Sequence, residues 1–297
     1  MPGGYRWWYV DALSDDGQHG LTLIAFIGSV FSPYYKRVRR RDPAAEPLDH
    51  SAINIALYGK SGHRWAMTER RRGSVARDAD SLAIGNSELD WNRDGLTVLL
   101  NEMTVPWPSA IRGCLRLHPQ ALAQHMEILA PGHCWRPIAA SARIEVLLEA
   151  PRLRWTGNAY FDSNAGDSPI EDAMRRWHWS RSPLRDGGAA LLYDIERRDA
   201  STRALALRFD RHGTAEPFEL PPPVLLPRSG WRVDRASRGD AAIVETLEDT
   251  PFYARSILAA TLCGEATLGV HESLDLDRFN STVVQWMLPF RMPRARR

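Results

Sequence analysis

The chain has 297 residues, of which 44% are hydrophobic and 25% are charged, a composition that is typical of globular proteins and argues against intrinsic disorder. The 38 basic and 36 acidic side chains leave a formal net charge of only +2, so no global electrostatic attraction to nucleic acid is expected. The sequence shows no apolar run long enough to span a bilayer and no secretory signal, which predicts a cytoplasmic protein.

Alternating hydrophobic and polar residues predict half-buried β-strands along most of the chain. Turn sequences rich in glycine, aspartate and serine separate these segments at short spacing, which is typical of antiparallel hairpins. The clearest predicted strands, in chain order, are 53–57, 96–100, 143–149 and 205–209. The pattern predicts a mostly β fold of antiparallel sheets, arranged as sandwiches or barrels.

Helical periodicity is confined to two regions. A pattern that resembles a capping box predicts a short helix over 169–176. Near the end of the chain, an acidic first turn is followed by one apolar stripe, which predicts an amphipathic helix from Asp275 to about Met287. The members of that stripe are Leu276, Phe279, Val283 and Trp286.

Two similar segments indicate an internal duplication. Trp8 and Trp179 each stand five residues before a leucine, and in both segments an Asp-Gly turn and an apolar return strand follow. We therefore expect two β domains, residues 1–150 and 151–297.

The sequence contains none of the common motifs for nucleotide binding, acyl-enzyme chemistry or zinc proteases, namely GxGxxG, GxxxxGK[ST], GxSxG and HExxH. The histidines show no paired spacing typical of metal ligands, and the three cysteines lie far apart and are expected to be reduced. We therefore expect neither a metal nor a cofactor.

Two pairs of residues place chemically useful side chains on one side of a strand. His133 and Trp135 stand two positions apart, as do Tyr160 and Asp162, and residues two apart in a strand point the same way. A carboxyl group among aromatic rings is expensive to ionise and can remain a proton donor, while aromatic faces stabilise carbocations and a neutral histidine can accept a proton from water. Judged on the residues alone, structural packing of His133 and a turn or capping role for Asp162 are the favoured interpretations.

Two basic segments, 36–41 and 291–297, are suited to contact with anionic lipid headgroups. Each segment is also what an ordinary solvated loop or tail looks like. For either segment alone, composition favours the solvated interpretation.

Longer blocks of the sequence resemble the bacterial carotenoid 1,2-hydratases, also known as hydroxyneurosporene synthases. The first blocks are GGYRWWYVDALSDDG at 3–17 and FIGSVFSPYY at 26–35, and similar blocks follow in family order as far as MLPFRMP at 287–293. The resemblance covers essentially the whole chain. It implies two lipocalin-like (calycin-type) β-barrel domains and a role in carotenoid biosynthesis in phototrophic bacteria.

The resemblance also implies a reaction and its residues. In the family an aspartate is thought to protonate the substrate, assisted by a His-x-Trp and a Tyr-x-Asp pair. His133 and Trp135 match the first pair, and Tyr160 and Asp162 match the second. The implied enzyme is a cofactor-independent hydro-lyase that adds water across the terminal C1=C2 bond of an acyclic carotenoid. His178 departs from the family pattern, where an acidic residue is expected, and this departure bears on substrate preference.

The expected partners are the carotenoid, water and a membrane surface, with no nucleic acid. Because the substrate dissolves in the bilayer, the protein is expected to associate peripherally with the inner or intracytoplasmic membrane. Two alternatives remain open: a lipocalin-like pericyclase or cyclase that folds a polyene, and a carotenoid-binding protein without catalytic activity.

Overall fold

The computed structural model describes residues 2–60 and 62–295. The predicted mostly β class with a C-terminal helix is confirmed. The strands of the first part of the chain are β1 Tyr5–Ser14, β2 His19–Ile27, β3 Ser51–Gly59, β4 Arg64–Arg70, β5 Val75–Arg77, β6 Ser81–Ile84, β7 Ser87–Asn92, β8 Gly95–Met103, β9 Ala110–Pro119, β10 Glu127–Ala130, β11 His133–Ala150 and β12 Leu153–Gly166.

The later strands are shorter on average. They are β13 Met174–Pro183, β14 Ala189–Arg197, β15 Thr202–Phe209, β16 Ala215–Pro217, β17 Pro223–Leu226, β18 Arg235–Arg238, β19 Ala242–Asp249, β20 Tyr253–Leu262 and β21 Glu265–Asp275. The helices are α1 Pro33–Arg39, α2 Ile170–Ala173, α3 Leu276–Asn280 and α4 Thr282–Arg291, with 3₁₀ turns at Pro47–His50 and Arg72–Ser74.

The chain forms two compact units whose residue ranges interleave. Of the described residues, unit 1 holds 2–120, 142–169 and 286–295, and unit 2 holds 121–141 and 170–285. The first residues of β11 pair with β10, whereas its later residues pair with β9, so the chain passes from one unit to the other inside a single strand. The division into domains at residue 151 stays a prediction.

Unit 1 is built on a strongly curved antiparallel sheet. Its strand order is β4-β3-β2-β1-β12-β11-β9-β8-β7-β6-β5. The first strand of the chain, β1, therefore pairs with β12, which is the last strand of this sheet in chain order. A salt bridge of 2.6 Å between Arg70 on β4 and Glu102 on β8 links strands that are far apart in this order. The sheet therefore curls into a nearly closed barrel.

One face of β1 and β12 fills the interior of this barrel. Val10 and Phe161 are Cα partners, both are buried, and the Phe161 ring stacks on Trp91 of β7 with ring centroids 5.8 Å apart. Because side chains alternate along a strand, the neighbouring residues Asp11 and Asp162 lie on the opposite face. The packing of the barrel interior thus sets where the carboxyl groups point.

Unit 2 contains a seven-stranded antiparallel sheet of order β16-β15-β14-β13-β21-β20-β19 and a small β17–β18 ribbon. Strand β13 pairs with β14, which follows it in the chain, and with β21, the last strand of the sheet in chain order. In the same way, β1 pairs with β2 and β12 in unit 1. The β1–β2 and β13–β14 turns each contain a glycine with positive φ, Gly17 at 66° and Gly187 at 87°. The two hairpins match the duplicated pattern of an aromatic strand, a tight turn and a buried return strand.

Both predicted helices begin near the expected positions. Asp275 caps α3, because its carboxylate accepts a hydrogen bond of 3.0 Å from the backbone N–H of Arg278. The helix predicted over 169–176 ends at Ala173, since strand β13 begins at Met174.

The predicted C-terminal helix is interrupted. Ser281 has an extended backbone, with φ of −62° and ψ of 144°, and separates α3 from α4. The break rotates the second half of the predicted stripe, so that Val283 and Trp286 are 70% and 77% exposed while Val284 and Leu288 are buried. The segment thus forms two helices, α3 and α4, in place of the single amphipathic helix that the sequence predicts.

After α4 the chain returns to the sheet of unit 1. The backbone N–H of Glu69 on β4 donates to the carbonyl of Pro293 at 2.9 Å, and the N–H of Ala295 donates to the carbonyl of Glu69 at 2.8 Å. Arg294 donates a further hydrogen bond of 2.8 Å to the carbonyl of Asp49. Residues 293–295 are thus held against the edge strand and do not form a solvated tail.

Candidate active site

A buried carboxyl group on β12 forms the centre of a polar cluster in unit 1. The Tyr160 hydroxyl donates to Oδ2 of Asp162 at 2.9 Å, and the Asn164 side-chain amide donates to Oδ1 at 3.0 Å. All three side chains are at most 4% exposed. Each oxygen of Asp162 therefore accepts a directed hydrogen bond, and Tyr160 and Asp162 point the same way, as their spacing predicts.

A second tyrosine and aspartate, which are not among the four predicted site residues, lie beside the first pair. The Tyr9 hydroxyl donates to Oδ2 of Asp11 at 3.2 Å, and Asp11 is fully buried. In the β1–β12 register Tyr9 lies opposite Asp162 and Asp11 lies opposite Tyr160. The two tyrosine rings meet edge to face with centroids 6.1 Å apart. The signal in the sequence is that residues 9–11 repeat the Tyr-x-Asp spacing of residues 160–162.

Uncharged side chains on the neighbouring strand β2 share the face of this cluster. On β2, the other neighbour of β1, the residues that share its face include Thr22, Ile24 and Phe26. Phe26 contacts Trp7 at a centroid distance of 6.1 Å. In such surroundings a carboxyl group that gives up its proton is stabilised chiefly by the few donors aimed at it. For Asp162 these donors include Tyr160 and Asn164.

The other predicted pair lies at the start of β11, in unit 2. His133 is 3% exposed and Trp135 is 1% exposed, whereas the residues next to them are more accessible, so both side chains lie on the buried face of the strand. The Trp135 ring meets Tyr193 of β14 edge to face, with centroids 5.4 Å apart and an interplanar angle of 85°. Tyr193 in turn is the Cα partner of Trp179 on β13. Trp135 therefore belongs to an aromatic group with Tyr193 and Trp179, neither of which was predicted to be a site residue.

The two predicted pairs thus lie in different units, Tyr160 and Asp162 in unit 1 and His133 and Trp135 in unit 2. A joint catalytic role for the four residues stays a prediction. Within residues 2–60 and 62–295, no group of three or more His, Cys, Asp or Glu side chains forms a candidate metal site. A groove of about 780 Å³ along β8, β9 and the β11–β12 turn is lined by none of the four residues.

His178 lies in a separate cluster, on the face of the unit 2 sheet that also carries Leu192 and Leu258. Its Nδ1 is 2.8 Å from the Ser273 hydroxyl, and its ring is nearly parallel to that of His271 at a centroid distance of 6.4 Å. Burial lowers the pKa of His178 to about 4 and the pKa of His271 to about 3. Both imidazoles are therefore neutral near pH 7.

Comparison with known proteins identifies close relatives in sequence. A family model described as carotenoid hydratase CrtC matches residues 23–297. The acyclic carotenoid 1,2-hydratase of Thiocapsa roseopersicina is 53% identical over 301 aligned residues, which cover 99% of this chain and 74% of the relative. The acyclic carotenoid 1,2-hydratase of Rubrivivax gelatinosus is 49% identical, with the same two coverages of 99% and 74%.

Solved structures with much lower sequence identity share the fold. A putative AttH from Nitrosomonas europaea superimposes with a TM-score of 0.63 at 16% identity and covers 91% of each chain. The structure of CghA with Sch210972 gives a TM-score of 0.50 at 12% identity, covering 92% of this chain and 88% of that one. These likenesses support the lipocalin-like barrel fold that the sequence predicts.

The histidine cluster generates a prediction about stability in acid. In the unfolded chain both rings have a usual pKa near 6.5 and bind protons more readily than in the folded protein. The free energy of unfolding should therefore fall as the pH is lowered from about 6.5 to about 3, with the part due to His178 lost by about pH 4. We expect His271→Gln, which keeps a donor toward the Ala236 carbonyl, to flatten this slope in urea titrations at several pH values. The exposed His63→Gln is the control, and an unchanged slope in His271→Gln would contradict the assignment.

Proposed function

We propose, because the chain belongs to the CrtC carotenoid hydratase family, that it adds water across the terminal C1=C2 double bond of an acyclic carotenoid of the lycopene or neurosporene type. Family membership rests on the match over residues 23–297 and on 53% identity to a hydratase across nearly the whole chain. The structural observation that carries the proposal is the buried Asp162 carboxyl, with hydrogen-bond donors on both of its oxygens.

In the first step Asp162 protonates the alkene. The π electrons of the C1=C2 bond form a new bond between C2 and the acidic hydrogen, which leaves a tertiary cation at C1 and a carboxylate on Asp162. Tyr160 and Asn164 stabilise that carboxylate as its charge develops. An alkene is a very weak base, so stabilisation of the anion left behind lowers the barrier of the difficult step.

In the second step water captures the cation. The face of the Trp135 ring stabilises the positive charge at C1, and His133 accepts a proton as the water oxygen bonds to C1. The product carries a 1-hydroxy, 1,2-dihydro end group, and the proton on His133 returns through solvent to Asp162. One water is consumed and no oxidant or reductant is needed, so we propose that no cofactor takes part. The burial of His133 and Trp135 on one face of β11 supports these roles.

The proton-donor role predicts that Asp162→Asn removes most hydration while the protein remains folded. The amide keeps the volume of the side chain but has no acidic proton, and the expected loss is about 10²–10⁴-fold. The measurement is the mass of pigments from a lycopene-producing bacterial host that expresses each variant, with the exposed Asp94→Asn as the matched control. Hydration adds one water, cyclisation adds no mass and simple binding leaves the polyene unchanged. Near-normal hydration by Asp162→Asn would show that the proton comes from another group.

The cation-stabilising role predicts that Trp135→Phe is milder than Trp135→Ala. A phenyl face retains part of an interaction of about 0.5–2 kcal/mol, so the Phe variant should lose little more than tenfold in turnover. Both variants are compared by initial rates of hydration and by thermal unfolding. Equal loss of activity in the two variants would instead point to an indole hydrogen bond or to packing against Tyr193.

We also propose that the protein associates peripherally with the inner or intracytoplasmic membrane, because an acyclic carotenoid partitions into the bilayer. In the described part of the chain no helix is both long and apolar enough to cross a membrane. The outward face of α4 supports contact with a lipid surface. It carries four apolar side chains at helical spacing, Val283, Trp286, Met287 and Phe290, which are 70%, 77%, 38% and 79% exposed.

Basic residues lie close to this apolar face, whereas α4 contains no acidic side chain. Arg291 is exposed at the end of α4, with its guanidinium 4.8 Å from the centroid of the Trp65 ring. Arg294 lies 5.9 Å from the ring of Tyr34 in α1, a helix followed by further exposed arginines at 40 and 41. Apolar side chains bordered by positive charge suit an anionic bilayer.

This membrane proposal predicts that the double variant Trp286→Glu/Phe290→Glu binds vesicles of phosphatidylglycerol and phosphatidylcholine about tenfold more weakly or worse. Each exposed aromatic side chain buries apolar surface worth about 1.5–3 kcal/mol when it enters an apolar phase. Flotation assays at low salt measure the binding, and Val244→Glu, which also replaces an exposed apolar side chain, is the control. Unchanged flotation would contradict the proposal, and a change from dimer to monomer on substitution would show that a second copy of the chain covers the face.

A further inference from the structure

We propose that the groove along β8, β9 and the β11–β12 turn binds one anionic phospholipid, with the phosphate on arginines and an acyl chain on leucines. None of the four candidate catalytic residues lines this groove, so the inference does not depend on the proposed reaction. It also goes beyond the proposed membrane contact through α4, because it assigns a site for a single lipid molecule. The class of ligand follows from the volume of the groove, its apolar floor and its charge.

The groove has the size of a ligand-binding site and opens to the outside of the unit 1 barrel. Its volume is about 780 Å³, and pockets that bind small molecules have volumes of about 300–1,000 Å³. On β8, Val98 and Leu100 are buried, whereas Leu99 between them is 49% exposed. Because side chains alternate along a strand, Leu99 belongs to the outward set. A ligand therefore reaches the groove from solvent without opening the barrel.

An apolar row crosses the floor of the groove. Cys114 of β9 is the Cα partner of Leu99 on one side and of Leu147 on the other, so the three side chains stand side by side on one face of three strands. Leu153, at the start of β12, is half-buried and lines the same groove. A hydrocarbon chain that lies across this row removes apolar surface from water, which favours its binding.

The charged residues of the groove favour an anion. The lining contains three arginines, Arg112, Arg152 and Arg154, and a single acidic residue, Glu149, which leaves a formal excess of two positive charges. Glu149 pairs with Arg112 at 3.0 Å, while the exposed Arg152 and Arg154 flank Leu153. A neutral polyene would leave this charge without a counter-ion, and a free inorganic anion would make no use of the leucines. An anionic phospholipid satisfies both, because arginine binds phosphate oxygens strongly and basic residues favour anionic lipids.

The test is the binding of dihexanoyl phosphatidylglycerol, a short-chain lipid that dissolves as single molecules, measured by isothermal titration calorimetry with the intact protein. We expect the double variant Arg152→Gln/Arg154→Gln to bind this lipid about tenfold more weakly or worse, because two phosphate contacts are lost. The matched control is Arg93→Gln/Arg211→Gln, which removes two exposed arginines outside the groove and should bind as the native protein does. Dihexanoyl phosphatidylcholine, which has no net charge, should bind the native protein at least about tenfold more weakly.

Two further comparisons distinguish a lipid from a simple anion and the groove from α4. Leu99→Gln removes part of the apolar floor without a change of charge, so it should weaken binding of the lipid at least about threefold and leave binding of inorganic phosphate unchanged. Trp286→Glu/Phe290→Glu should bind the soluble lipid normally, whatever its effect on vesicle flotation.

Three results would overturn the proposal. They are lipid binding that is unchanged in the arginine variant or in Leu99→Gln, inorganic phosphate that binds the native protein as tightly as the lipid does, and loss of lipid binding in the α4 variant alone. None of them bears on hydration, which is measured separately with Asp162→Asn. Thermal unfolding confirms that the compared variants are folded.

Discussion

The arrangement of the site depends on the alternation of side chains along β1 and β12. Val10 and Phe161 fill the barrel interior of unit 1, where Phe161 stacks on Trp91, and this packing fixes which residues face the other way. Asp11 and Asp162 are among those residues, each with a tyrosine hydroxyl as donor. A slip of one residue in the register would exchange the two faces and place carboxyl groups in an apolar core, so the hydrophobic packing also specifies the chemistry.

The same alternation explains how much of the site the sequence reveals. The spacing of Tyr160 and Asp162 was enough to predict that they point the same way, and the structure joins them by a hydrogen bond of 2.9 Å. That Asp11 lies beside this pair could not be predicted, because pairing between distant strands, here β1 with β12, cannot be derived from the spacing of residues along one segment. Only the register places Asp11 opposite Tyr160, although the repeated Tyr-x-Asp pattern was visible in the sequence.

The C-terminal segment shows a different limit of sequence-based prediction. The apolar stripe from Leu276 to Trp286 has regular helical spacing, and nothing in that spacing marks the break at Ser281. In the structure residues 293–295 pair with the edge strand β4, and α4 presents Trp286 outward instead of burying it. Such long-range pairing is decided by tertiary structure, which overrides local periodicity. Val283 and Trp286 of the predicted stripe are consequently exposed, where they are available to a lipid surface.

In the proposed reaction, Asp162 delivers a solvent-derived proton to C2 before water adds at C1. The most direct measurement is hydration of the carotenoid by the intact protein in deuterium oxide, followed by mass spectrometry and proton NMR of the isolated product. We expect a hydroxyl group at C1 and one non-exchangeable deuterium at C2. A hydrated product without deuterium at C2 would contradict protonation by a carboxyl group that exchanges with solvent, and a product without added water would contradict the proposed reaction.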